Sequence, residues 1–270
     1  MLHRHFSTDW ESPGVHSVFT VGDPLTRLGL DLAVLESNSA PVPVGCEGME
    51  VVLVVLSGTV SCQVDGRQWQ HLGGRHSVFE GPPTAIYVPP GAEVRVASEG
   101  GRAEVAVCRS VSTEGPDPFV IHPADIEVLR RGQDHWRREI RNILTADLGP
   151  AVGAVVIGET VHDAGEWSGY PPHKHDADHE PDENIFEELY HYRIEPRDGF
   201  AVQVHYGDDR YPETGYIIGD GDSFAIPGGY HPAVVQGGYR LYYLWFMAGP
   251  SGRRPLPFVD PRYRHVDAVK

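Results

Sequence analysis

Cysteine, positive charge and long apolar runs are all scarce in this chain. Three cysteines, Cys46, Cys62 and Cys108, are spread over 270 residues. An odd number at wide spacing supplies neither a disulfide framework nor a CxxC zinc motif, so a reducing, cytoplasmic setting is expected. Lys and Arg number 22 against 38 Asp and Glu, a formal net charge of −16. A phosphate-binding surface needs clustered positive charge, so nucleic acid is not expected as a partner, nor is an anionic membrane surface. The strongest apolar run, residues 51–56, is six residues long, far short of the roughly 18 that cross a bilayer. Residues 1–6 are not followed by an apolar stretch, so no secretory signal is expected.

Turn formers, by contrast, are abundant. The chain holds 31 glycines and 23 prolines, above the usual usage of about 7% and 5%. That excess, with 40% hydrophobic residues, suits a turn-rich β protein with a real core. The first half reads as short strands at 51–56, 60–64, 77–79, 85–88, 93–97 and 103–108, with an Asp65-Gly66 hairpin turn after the second. Residues 112–123 are polar and proline-rich, which suits a linker; 124–129 suit one or two helical turns, and 135–144 carry no clear period. A second β-rich block follows, with strands at 152–157, 189–194, 200–206, 216–218, 223–226, 233–235 and 239–247. The expected organisation is therefore a first barrel over 1–118, a linker over 119–134 and a second barrel over 135–270. A weak internal repeat supports duplication. Glu50-Val-Val-Leu-Val-Val-Leu aligns with Glu188-Leu-Tyr-His-Tyr-Arg-Ile, and Val88-Pro-Pro-Gly-Ala-Glu93 with Ile226-Pro-Gly-Gly-Tyr-His231.

The chemistry concentrates in the second block. In Pro171-Pro172-His173-Lys174-His175-Asp176, two histidines at i and i+2 on an extended strand share a face, with Lys174 opposite. Two neutral imidazoles so placed can share one divalent ion. Glu188 opens an aromatic strand that puts Glu188, Tyr190 and Tyr192 on one face and Leu189, His191 and Arg193 on the other. It is a candidate third ligand. His231, in Gly228-Gly229-Tyr230-His231-Pro232, offers a fourth after a tight turn.

His-x-His, Glu and a later His together resemble the cupin metal motif. The stretch Gly165-Glu-Trp-Ser-Gly-Tyr-Pro-Pro-His-Lys-His-Asp176, the strand Glu187-Glu-Leu-Tyr-His-Tyr-Arg193, Gly229-Tyr-His-Pro232 and Tyr242-Tyr-Leu-Trp-Phe-Met-Ala-Gly-Pro250 resemble the 5-deoxy-glucuronate isomerase family of myo-inositol catabolism. The resemblance covers most of the chain. The uronate ketol-isomerases of pectin breakdown share the layout. It implies an all-β fold of two cupin-type β-barrels, a bicupin, with the metal site in the second. The implied ligands are His173, His175, Glu188 and His231. The long insertion before Glu188 leaves Glu180, Glu183 and Glu187 as competitors for the carboxylate role, and Glu188 is favoured because it leads the aromatic face. In the first barrel Glu93 stands at the counterpart of His231, and no paired histidines precede Glu50. His71 and His76 stand apart, so one ion per chain is expected.

Three imidazoles and a carboxylate suit Zn, Fe, Mn, Co or Ni. The implied reaction is an aldose–ketose isomerisation of a small sugar acid, 5-deoxy-D-glucuronate to 5-dehydro-2-deoxy-D-gluconate, through a metal-assisted enediol. Tyr190 and Tyr192 are candidates to donate to or orient an oxygen. Gln203, Arg210 and Lys174 are candidates for substrate contact, the two cations for its carboxylate. A metal-dependent cupin dioxygenase and a non-catalytic sugar-binding bicupin are the rival readings, and a homo-oligomer is compatible with each.

Overall fold

The computed structural model describes residues 5–7, 12–37, 39–250 and 252–267. Among these, nearly all regular structure is strand. The exceptions are three single-turn 3-10 helices and the short helix Arg264–Asp267. No helix among the described residues is long and apolar enough to cross a membrane. The chain divides into two compact units, one of residues 12–127 and 142–156, the other of 5–7, 128–141 and 157–267.

In the first unit a six-stranded sheet runs in the order Phe119–Ile121, Ala85–Val88, Met49–Ser57, Ala103–Val111, Leu28–Leu35, Gly14–Phe19. A four-stranded sheet runs Val42–Val44, Val94–Ser98, Thr59–Val64, Arg67–Gly73. Val51, Leu53 and Val55 of the larger sheet form one core with Val60, Cys62, Val64, Val94 and Val96 of the smaller. Val52, Val54 and Leu56 are buried too. The central strand is covered on both faces, which is why its sequence is a continuous apolar run and does not alternate. Asp65 and Gly66 both take positive φ, 47° and 81°, as the expected two-residue hairpin turn requires. All three cysteines are free and buried. Burial pushes the thiols of Cys46 and Cys62 up, to about 11 and about 12.

A seven-stranded sheet, formed mainly by second-unit residues, runs His5–Ser7, Asp222–Ile226, Glu187–Glu195, Arg240–Ala248, Val156–His162, Arg138–Leu144, Glu127–Arg131. A four-stranded sheet runs Trp167–Ser168, Ala233–Val235, Ala201–His205, Thr214–Ile218. Its core is aromatic: Tyr190, Tyr192, Phe224 and Tyr243 pack with Ile194, Ala201, Ile218 and Val235.

The segment expected to be a linker, 119–134, holds two strands, Phe119–Ile121 and Glu127–Arg131, and a 3-10 turn, Pro123–Asp125. Phe119 pairs with Tyr87 in the ladder and stacks on its ring at 5.0 Å. The prolines of this stretch only punctuate it; its apolar residues complete a sheet edge. Residues 135–144, which carry no clear period in sequence, include the strand Arg138–Leu144, and the expected strand at 152–157 begins only at Val156.

The ladder also corrects the internal repeat. Val51 is paired with Val88, and Glu188 is paired with Ile226. With the two pre-proline residues Val88 and Ile226 matched, the counterpart of Glu188 is Val51, one residue later than the sequence alignment placed it. Val51 is buried in the apolar core. Glu50 corresponds to Glu187 and serves its own unit: its carboxylate accepts from the Tyr87 hydroxyl (2.9 Å) and from the backbone N–H groups of Gly153 (2.9 Å), Ala154 (2.6 Å) and Val155 (2.7 Å). A fully buried carboxylate with four donors is satisfied as a structural anchor.

Candidate metal centre

Strand alternation builds one wall of the site. Glu188, Tyr190 and Tyr192 face inward from Glu187–Glu195, as the period of two requires, and all three are buried. His173 and Lys174 form a short ladder with Phe258–Val259. His173 and His175 both turn toward Glu188 and line, with it, a cavity of about 180 Å³. His231 arrives from the far side, its ring 5.1 Å from each of the other two imidazoles, centroid to centroid.

The loop that delivers His231 is held from three sides. Gly229 has φ +79°, and a Cβ there would meet His205 Nε2 and the Tyr206 carbonyl at 3.0 Å, so only glycine fits. The Gly229 N–H donates to Asp176 Oδ2 at 2.9 Å, and His205 Nε2 contacts the Gly228 carbonyl at 2.6 Å. Gln203 Nε2 donates to the carbonyls of His231 (2.8 Å) and Pro232 (3.2 Å).

Each imidazole presents Nδ1 to a backbone carbonyl: His173 to Pro171 at 3.3 Å, His175 to Phe186 at 2.7 Å, His231 to Gly229 at 2.8 Å. A carbonyl only accepts, so Nδ1 carries the proton in each ring and Nε2 presents a lone pair to the centre. Glu188 Oε2 lies 3.2 Å from Nε2 of both His175 and His231. His231 Nε2 is buried and has no hydrogen-bond partner among the described residues. Lone pairs facing a carboxylate oxygen in a buried site repel unless a cation lies between them. Ligand atoms of His175, Glu188 and His231 all fall within 4.8 Å of one another. Ligands about 2.1 Å from a shared divalent ion have comparable separations. The donor set therefore fits a metal ion, with His173 beside it as the fourth group.

The electrostatics agree. Burial, with the neighbouring His231 and His175 rings, lowers the pKa of His173 to about 3, keeping it neutral and able to ligate. Burial opposes ionisation of Glu188, but the two imidazoles at its oxygen outweigh it and bring the carboxyl down to about 2. Burial opposes charge on His175 too, and there the hydrogen bond to Glu188 and its negative charge raise the pKa, so a proton on Nε2 competes with a metal ion for the same place. Burial and Glu188 push the Tyr190 phenol well above its ordinary value.

Not every residue singled out in the sequence reaches the cavity. Lys174 points away, between Asp176 and Glu183, and Glu183 also accepts from the N–H groups of Asp176 and Ala177. Arg210 forks onto Asp208 and is half exposed. The Tyr192 hydroxyl donates to Gln203 Oε1, and Gln203 is wholly buried behind His231. Glu180 is exposed and Glu187 lies on the opposite strand face from Glu188. The sequence reading missed Arg138, Thr160, Tyr243 and Trp245, which line the same cavity. Period-two alternation from Tyr243 to Trp245 to Met247 was the available signal. Tyr243 hydrogen-bonds Ser168 and packs on Tyr190 with ring centroids 4.5 Å apart.

Paired sheets around a core, with three imidazoles and one carboxylate gathered at one centre, define a cupin-type protein. The chain belongs to the KduI/IolB family, whose pattern it matches over residues 14–266. It is 34% identical to the 5-deoxy-glucuronate isomerase of Bacillus subtilis (strain 168) over 253 residues, 93% of this chain and 92% of that one. It is 38% identical to the enzyme of that name from Geobacillus kaustophilus over 202 residues, 74% and 72% of the two chains. Among solved structures, an IolB-like protein from Salmonella typhimurium LT2 superposes with a TM-score of 0.91 at 27% identity, covering 99% of both chains. Oxalate decarboxylase of Bacillus subtilis shares the fold, at a TM-score of 0.64 and 12% identity over 94% of this chain and 78% of that one. The fold is thus all-β and bicupin.

Proposed function

We propose that the protein is a metal-dependent 5-deoxy-glucuronate isomerase, converting 5-deoxy-D-glucuronate to 5-dehydro-2-deoxy-D-gluconate in the cytoplasmic breakdown of myo-inositol. The observation that carries the reading is the clustering of His175, Glu188 and His231, with the His173 ring beside them, in a member of this family. A divalent ion, which His173, His175, Glu188 and His231 would hold, would supply Lewis acidity toward the substrate aldehyde and its adjacent C2–H. The net change moves the C2–H proton to C1 and the O2 hydroxyl proton to O1 through a cis-enediol, so the aldehyde becomes CH₂OH and C2 becomes the ketone. The product's keto carbon counts as C5 because numbering restarts from the carboxylate.

The residues divide the remaining work. Tyr190, with its pKa raised, stays a phenol and serves as a hydrogen-bond donor to a substrate oxygen; as a base it would first have to ionise. Tyr243 also stays protonated, burial raising its pKa, and closes the cavity beside Tyr190. Tyr192 acts through Gln203, which holds the His231 carbonyl. The apolar wall of Ile140, Trp245 and Met247 keeps bulk water from the enediol.

NMR of 5-deoxy-glucuronate turnover in D₂O tests the reading. Turnover should be abolished by a chelator, restored by a divalent transition metal, and leave deuterium at the product's CH₂OH carbon. Unlabelled product would point to an internal hydride shift. Oxygen uptake by the iron-loaded protein, with no ketose formed, would replace the isomerase by a dioxygenase.

A further inference from the structure

We propose that Arg138 binds the substrate carboxylate and so fixes which end of the sugar acid meets the three histidines and Glu188; this rests on the isomerase reading above. Among the described residues lining the metal cavity, Arg138 is the one cation. The two cations expected from sequence are engaged elsewhere, Lys174 by Asp176 and Glu183, Arg210 by Asp208.

The placement follows from the strand Arg138–Leu144. Side chains alternate across a strand, and this one separates its charges by face. Arg138 and Ile140 line the cavity. Glu139 and Arg141 point the other way, where Arg141 pairs with Glu139 at 2.9 Å and with the buried Glu159 at 3.2 Å. On the adjoining faces Thr160, Tyr243 and Trp245 also line the cavity, whereas Tyr242 donates to Glu159 at 2.8 Å on the far side. Arg138 is thus built into the wall that carries the site. Its Nη1 donates to the Trp136 carbonyl at 3.2 Å, and its Cζ sits 5.7 Å from the centroid of the Trp136 ring. Stacking on an indole orients a guanidinium plane before a ligand arrives. Its positive charge also acts on the Tyr243 hydroxyl, which places it within electrostatic reach of the cavity interior.

A sugar acid entering this space must surrender the hydration of its carboxylate. Ile140, Met247, Pro255 and Pro257 have no side-chain donor to offer it, and an unpaired buried carboxylate is costly. A guanidinium fork is the matching partner. With the acid end held at Arg138, the aldehyde end is left for the ligand cluster.

The test compares the acid with its 6-alcohol analogue, in which CH₂OH replaces the carboxylate, using metal-loaded protein. Replacing Arg138→Gln should lower kcat/KM for the acid by about 10- to 100-fold, the scale of a charge-assisted pair, and leave the alcohol almost unaffected. Bound metal and melting temperature should match the wild type. Should the Gln protein fail to fold, Arg138→Lys decides: it keeps the charge and loses the fork, so the acid should suffer several-fold and the alcohol not at all. Equal losses on both substrates, or an unchanged acid-to-alcohol preference, would overturn the assignment. Calorimetric binding of acid and alcohol reads the arginine independently of turnover. If the wild type binds the acid in preference to the alcohol but turns neither over, the isomerase reading fails and the anchor stands.

Discussion

Glu188 Oε2 and His231 Nε2 face each other at 3.2 Å, while the Nδ1 of the same imidazole is occupied by the Gly229 carbonyl at 2.8 Å. Two acceptors are brought together across a buried gap, with a second imidazole, His175, at the same distance from the same oxygen. Such a contact is stable with a cation in it and strained without one.

The first prediction follows from that gap. His231→Ala or Glu188→Gln should reduce bound metal from about one ion per chain to a trace, since each removes one of the three groups, His175, Glu188 and His231, that cluster most tightly. Glu187→Gln, on the opposite face, should leave occupancy intact. Elemental analysis of the three purified variants checks this; full occupancy in His231→Ala would refute the ligand set.

Gln203 tests whether the loop behind His231 matters. Its amide donates to the His231 and Pro232 carbonyls and accepts from Tyr192. Gln203→Leu should weaken metal affinity by about 10- to 100-fold, the usual effect of losing an orienting contact, with KM for the sugar little changed at saturating metal. A competition titration against a chromophoric chelator measures it. A rise in KM alone would instead make Gln203 a substrate contact.

Glu50 should behave oppositely. Glu50→Gln puts an amide where four donors converge and should cost roughly 2–4 kcal/mol of stability, as for a broken buried network. Metal stoichiometry should stay the same. Denaturant unfolding with metal analysis on one sample checks both. Metal loss at full stability would contradict a purely structural role.

The buried histidines His162 and His191 set an acid limit. Burial, aided by the charges of Arg138 and Arg193 respectively, lowers each to about 3, against about 6.5 in an unfolded chain. Because the folded values are the lower ones, their contribution is complete above pH 6.5 and is lost as pH falls from 6.5 toward 3. Over that window the unfolded state binds protons that the folded state refuses, at about 1.4 kcal/mol per pH unit for each group. Unfolding free energies at pH 6.5, 6 and 5 should therefore fall steeply, and His191→Gln should flatten the slope. An identical slope in the variant would mean that His191 is not buried neutral.

Much of this protein was legible in its residues because the signals are local. Alternation fixes which side chains of one strand share a face, so Glu188, Tyr190 and Tyr192 came out together, and a glycine pair before His231 marked a turn. The same logic placed His173 and His175 on one face, and it took the family resemblance to join them with Glu188 and His231 as a candidate ligand set. What escaped depends on pairing between strands. A one-residue shift reverses every facing, and only the ladder shows that Val51, not Glu50, stands opposite Val88 as Glu188 stands opposite Ile226.

The sequence by itself determined the all-β class and the turn positions, because period two and glycine geometry are properties of neighbouring residues. Tertiary structure decided which charges are available. Lys174 and Arg210 look in sequence like carboxylate binders and prove to be held by acids that lie close in chain or space. Arg138, in a stretch without a readable period, is the cation in the cavity wall. Which cavity a charge can face is set by strand pairing and contacts among residues far apart in the chain.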